Sequence, residues 1–174
     1  MSMRTAERLK TLKAAFDKGY MVAIRLDPLI NWPENWEEEM EQLINLIHDE
    51  APMGLSEITV GTMRFRIHQA SLFTQMISSS AIVTPHGGLY KDKVNMNAIM
   101  HLYNDNTQLE KGFSDNYYRL PFEIRKAIYQ HVAALIKKRR PDLRITLCQE
   151  TSDVYREVNG VSLPSRCNCM VANW

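Results

Sequence analysis

Polar side chains gather just beyond three short apolar runs of this chain. Arg25 and Asp27 close the first run, Thr59, Thr62 and Arg64 surround the end of the second, and Cys148, Glu150 and Thr151 follow the third. In parallel α/β sheets, ligands sit beyond the C-terminal ends of the strands, where such residues can hold a polar molecule. Arg25 and Asp27 are two apart, so on a strand both side chains leave the same face. Pointed inward, they must pair with each other or with a polar ligand, because an isolated buried charge is costly. Arg64 has the geometry to meet a carboxylate or phosphate with two parallel hydrogen bonds. The competing reading is structural, with Asp27 and Thr151 as helix caps and Arg25 as an ion-pair partner.

A second chemistry is phosphate recognition. Lys91, Lys93, Lys111 and Arg119 are interleaved with Tyr90, Tyr103, Tyr117 and Tyr118 in loop-like sequence. Cations beside aromatics that stack on bases suit a nucleic-acid surface. The run Lys137 to Arg140 is explained at least as well by cations at a helix C-terminus. His48, His68, His86, His101 and His131 are dispersed and match no zinc spacing. Cys148, Cys167 and Cys169 make no cluster motif, so no metal site is expected. Gly87-Gly88 reads as a turn, since no phosphate-loop lysine follows.

Helix–strand units position these residues. The spacing predicts a helix over Thr5–Lys18 with Gly19 as its stop, then a strand over Tyr20–Leu26 ended by Asp27-Pro28. A second helix begins near Asn35, where Asn35 and Glu38 have capping-box spacing. A second strand covers Leu55–Gly61, and Phe65–Ile77 reads as a helix. Residues 78–115 form an irregular insertion, with one short helix over Met96–Tyr103. A helix over Pro121–Arg139, a strand over Leu143–Cys148 and a short helix capped by Thr151 or Ser152 complete the order. Alternating elements of this kind imply one α/β domain over 1–174 with a parallel sheet. Three strands are few, so the sheet edge is expected to be covered by another chain, a second copy or the insertion.

Composition sets the outer bounds. The chain has 174 residues, 45% hydrophobic and 24% charged, with a formal net charge of +1. That is globular, and the charge alone selects no polyanionic partner. No apolar run approaches the roughly 20 residues of a membrane span, and no secretory leader is evident. Reduced cysteines and cytoplasmic residence are expected.

The segment VAIRLDPLINWPENWEEEMEQLINLI (Val22 to Ile47) resembles a strand–loop–helix of spore photoproduct lyase and its DNA-photolyase-like relatives. SEITVGTMRFR (Ser56 to Arg66) resembles the family's next strand, and RLPFEIRKAIYQHVAALIKKRRPDLRITLCQET its last helix and strand. The resemblance implies the C-terminal half of a partial TIM barrel of the radical S-adenosylmethionine type. It implies an activity of DNA photoproduct repair, with S-adenosylmethionine and a [4Fe–4S] cluster in the complete enzyme. Arg25, Asp27, Thr62 and Arg64 then become candidates for contacting the S-adenosyl or nucleotide moiety. The Cys-x-x-x-Cys-x-x-Cys triplet of complete enzymes is missing, so the chain alone is expected to be inactive and to need a cluster-bearing N-terminal half. The rival expectation is a non-catalytic α/β binding or assembly module on the same scaffold.

Overall fold

Three parallel strands in the order β1-β2-β6 organise the larger part of the chain. In chain order the elements are α1 (Met3–Asp17), β1 (Val22–Leu29), α2 (Trp36–Glu50), β2 (Leu55–Thr62), β3 (Arg64–Arg66), β4 (Glu110–Lys111), β5 (Tyr117–Arg119), α3 (Phe122–Arg139), β6 (Arg144–Leu147) and α4 (Ser152–Glu157). The computed structural model describes residues 3–31, 35–51, 53–66, 110–111 and 117–162. The chain divides into two units, the first made of 1–62 and 125–174, the second of 63–124.

Each helix of the first unit forms for local reasons. Gly19 at φ 88° stops α1, its N–H bonding the Phe16 carbonyl at 2.8 Å. Glycine alone enters that region without a Cβ penalty. In α2, Glu37, Glu38 and Glu39 occupy the first turn, where carboxylates oppose the helix dipole, and Ile44 and Ile47 are buried. Asn35 precedes α2 as expected, but the capping box with Glu38 is replaced by contacts to Glu39. The Asn35 side chain donates to Glu39 Oε1 at 3.4 Å, and the Glu39 N–H to the Asn35 carbonyl at 3.1 Å. The helix ends at Ala51, whose extended backbone suits the residue before a proline.

Register decides which residues share a face. Ala23, Arg25, Glu57 and Thr59 align with Arg144 and Thr146, while Ile24, Leu26, Ile58, Val60, Ile145 and Leu147 take the opposite face. The apolar set includes Ile58, Val60, Ile145 and Leu147, all at most 1% exposed. Each such side chain contributes roughly 1.5–3 kcal/mol by burial. Helices line this face in the order of the strands. α1 packs on α2. α2 meets α3 through Arg139–Asp49 at 2.6 Å and through the Trp36 and His131 rings, 5.2 Å apart. α3 reaches back to the sheet where the Tyr129 phenol meets Thr62.

The two outer strands differ. The free side of β6 is occupied by its own chain: the Tyr155 phenol accepts the Leu147 N–H at 2.9 Å and donates to the Leu147 carbonyl, and the Ser162 N–H reaches the Ile145 carbonyl at 3.0 Å. Among the described residues, β1 pairs with β2 alone.

Several expectations are corrected. Tyr20 and Met21 are exposed and precede β1 rather than belonging to it. Asp27 and Pro28 do not end the strand but lie within it, at a register shift between Leu26 and Leu29. An outer strand admits proline because the missing N–H is not needed by a neighbour. The first helix starts at Met3, two residues ahead of the expected Thr5. Phe65, expected to open a helix, belongs to β3, which pairs antiparallel with β5; β5 pairs with β4 in turn, making the sheet of the second unit. Residues 67–77, the expected short helix over 96–103, and Cys167 and Cys169 lie outside the described residues. Among the described residues no helix is long and apolar enough to cross a membrane.

Candidate functional site

The polar face of the sheet carries the Arg25–Asp27 pair. Because the two residues alternate onto one side of β1, the Arg25 Nη1 reaches Asp27 Oδ2 at 3.1 Å. The same nitrogen lies 3.3 Å from Cys148 Sγ, just past the end of β6. Asp27 is 13% exposed and Arg25 36% in their side chains, so the pair sits at the rim rather than in the interior. Gly61 explains how the carboxylate fits between the strands: a Cβ there would stand 2.8 Å from Asp27 Cγ. The helix-cap reading of Asp27 is thereby excluded, and the ion-pair reading of Arg25 holds.

Toward the strand starts, the same face closes on itself. Glu57 Oε1 accepts the Thr59 and Thr146 hydroxyls, each at 2.8 Å, and Arg144 Nε stands 3.4 Å from Glu57 Oε2. Thr59 and Thr146 are fully buried, and their mutual satisfaction removes the cost of placing hydroxyls inside. Between β1 and its helices lies a groove of about 490 Å³, lined by Ile24, Arg25, Leu26 and Asp27, by Leu9 and Leu12 of α1, and by Met40 and Leu43 of α2.

A second polar cluster lies on the helix-covered face, at the ends of β2 and β6. Arg125 Nη1 meets Glu150 Oε2 at 2.8 Å, with both side chains 2% exposed. The Tyr129 phenol accepts the Thr62 N–H at 2.8 Å and donates its proton to Glu150 Oε1 at 2.8 Å. The Thr62 hydroxyl stands 3.1 Å from the phenol oxygen and 3.4 Å from Glu150 Oε1. The Thr151 N–H adds a contact to Glu150 Oε2 at 3.3 Å. Burial, and then the negative charge of Glu150, push the Tyr129 phenol well above the usual tyrosine range. The phenol therefore serves as a neutral donor.

Gln149 makes the two clusters separate. It has φ 51°, a left-handed backbone unusual for a residue with a side chain. Continued as a strand, the chain would send Cys148 and Glu150 to one face. The turn at Gln149 instead leaves Cys148 on Arg25 and carries Glu150 to Arg125.

The residues singled out in the sequence are thus divided. Arg25 and Asp27 come together, and Cys148 joins them. Thr62 does not, because it lies three residues from Thr59 and takes the opposite face, engaged by Tyr129. Arg64 belongs to the second unit. Of the nucleic-acid candidates, Lys91 and Lys93 lie outside the described residues, and Lys111 is placed by its backbone in β4. Arg119 is 2% exposed, so its charge is not presented to solvent as a phosphate contact requires. The Lys137–Arg140 run is absorbed locally. Lys137 Nζ donates to the Pro141 and Leu143 carbonyls at 2.9 and 2.7 Å, and Lys138, Arg139 and Arg140 pair with Glu41, Asp49 and Asp142.

Arg125 and Tyr129 were not legible as site residues, since they sit on a helix whose periodicity reads as ordinary core. The available signal was a cation and a phenol four residues apart on its buried stripe. Among the described residues no three His, Cys, Asp or Glu side chains converge as metal ligands. No family model matches the chain, and no curated protein or solved structure compared with it does either.

Proposed function

We propose that the chain is the later part of a radical S-adenosylmethionine barrel of the spore-photoproduct-lyase kind, acting in DNA photoproduct repair once a cluster-bearing half completes it. The observation that carries this reading is the Arg25–Asp27 pair, on the sheet face opposite the apolar residues that the helices cover. Parallel strands in chain order, with helices following the same order on one face, suit a segment of a barrel better than a doubly wound sheet, which carries helices on both faces. A barrel sends its other face inward, and here that face is polar.

Among the described residues, nothing offers the thiolates of an iron–sulfur cluster. Three converging thiolates are needed, and Cys148, the one cysteine among the described residues, is engaged with Arg25. No chemical step is therefore assigned to this chain. Its contribution is a rim at which Arg25 and Asp27 contact S-adenosylmethionine or substrate. Nucleic-acid contact falls to Lys91, Lys93 and Lys111.

The test is to reconstitute the chain anaerobically with a half carrying Cys-x-x-x-Cys-x-x-Cys, and to compare it with Arg25→Leu. S-adenosylmethionine binding by equilibrium dialysis should weaken at least about tenfold (roughly 1.4 kcal/mol) in the variant, with its thermal midpoint within about 4 °C of the parent. Failure of the two halves to associate would instead favour the rival binding-module reading. Equal S-adenosylmethionine affinity in parent and variant would remove Arg25 from the site.

A further inference from the structure

The boundaries of the two units coincide with the buried cluster on the helix-covered face. The chain leaves the first unit after Thr62 and re-enters it at Arg125. Both residues converge on a single carboxylate: Glu150 Oε2 takes Arg125 at 2.8 Å, while Oε1 takes the Tyr129 phenol at 2.8 Å, which in turn holds the Thr62 amide at 2.8 Å. Neither hydrophobic burial nor helix continuity demands a buried Arg–Glu pair here, and such pairs cost desolvation on both sides. Their best-attested use is to specify one arrangement among several.

We infer that Glu150 is a positioning residue that pins together the exit and return points of the inserted segment 63–124. The geometry is that of a neck. Thr62 is the last residue of β2, Arg125 and Tyr129 occupy the first turns of α3, and Glu150 comes from the β6–α4 connection, the element between the two in space. The carboxylate takes Arg125 on Oε2 and, on Oε1, the Tyr129 phenol together with the Thr62 hydroxyl at 3.4 Å, so Oε1 is where the exit and return sides meet. The left-handed backbone at Gln149 turns it into place. Without the carboxylate, the Thr62–Tyr129 contact would remain, but the phenol would lose the acceptor that orients its proton and Arg125 would lose its 2.8 Å carboxylate partner.

Hydrogen exchange on the full chain tests this inference. Glu150→Gln keeps the volume and an acceptor but removes the charge that holds Arg125. Amides of residues 62–66 and 122–129 should then exchange about tenfold faster, while Ile24, Ile58 and Ile145 in the sheet stay within about twofold. Tyr129→Phe is the second variant. It releases the Thr62 amide but leaves Arg125–Glu150 intact, so only residues 62–66 should accelerate. If Glu150→Gln does not fold, the Tyr129→Phe pattern decides alone. A uniform rise across the sheet in either variant would make the cluster part of the general core and overturn the inference. So would unchanged exchange at the neck.

Discussion

Removing Arg125 should be far more damaging than its helical position suggests, and removing Glu150 with it should restore part of the loss. Both side chains are 2% exposed, and their closest atoms are 2.8 Å apart. Breaking such a buried pair from one side leaves an uncompensated charge and costs about 3–5 kcal/mol. Arg125→Met, which keeps the aliphatic length, should therefore cost about 3–5 kcal/mol, or roughly 6–20 °C in Tm for a chain of this size. Glu150→Gln should cost a comparable amount, because it removes the carboxylate charge 2.8 Å from a buried guanidinium. The double variant strands neither charge. It should lie at least about 2 kcal/mol above the sum of the single losses, since contacting residues couple by about 0.5–3 kcal/mol. Urea unfolding followed by circular dichroism, with m-values compared to confirm a common denatured state, measures all four corners of this cycle. Losses that add to within about 0.5 kcal/mol would refute the reasoning, because they would mean that the two charges do not depend on each other.

Alkaline pH should act through Tyr129. Its phenol is raised well above the ordinary tyrosine value in the fold, so the unfolded chain loses that proton first. The associated stability is present below about pH 10 and lost as pH rises from there toward the folded value, at up to about 1.4 kcal/mol per pH unit. Tyr129→Phe should be less stable at neutral pH by about 1–3 kcal/mol, yet fall less steeply above pH 10 in urea titrations. Parallel slopes would contradict this. At the rim, Gly61→Ala would place a methyl 2.8 Å from Asp27 Cγ and so displace the carboxylate from Arg25. A crystal structure of that variant should show the Arg25–Asp27 contact lengthened beyond 4 Å, the limit of an ion pair; an unmoved Asp27 would contradict it.

Much of the first unit was legible because its signals are local. Gly19, the apolar positions of α2 and the runs Leu55–Gly61 and Leu143–Cys148 each state an element through neighbours of fixed spacing. The Arg25–Asp27 pair was legible too, since alternation on a strand follows from the backbone alone. What escaped depended on long-range partners. Glu150 looked like a companion of Cys148, and only a left-handed turn at a glutamine, which carries no sequence warning, sends it to the other face. Thr62 was grouped with Arg25 by its place at a strand end, although an odd offset from Thr59 reverses its direction. Proline at position 28 looked like a terminator, but on an outer strand the lost N–H costs nothing. The antiparallel pairing of Arg64–Arg66 with Tyr117–Arg119 joins segments about fifty residues apart, beyond the reach of periodicity.

The treatment of the two outer strands bears on stoichiometry. Tyr155 and Ser162 occupy backbone groups of Ile145 and Leu147 on one side of the sheet. Among the described residues, a row of strands can then be extended past β1, on either side of Pro28, but is terminated at β6. A molecule built this way adds to an array once and ends it. Two such chains can pair through β1, or one can finish a sheet begun elsewhere, but a strand cannot add at Ile145 and Leu147 of β6. The same tyrosine that satisfies two backbone groups thus guards this side against growth by strand addition, which needs an open edge at each end of the sheet.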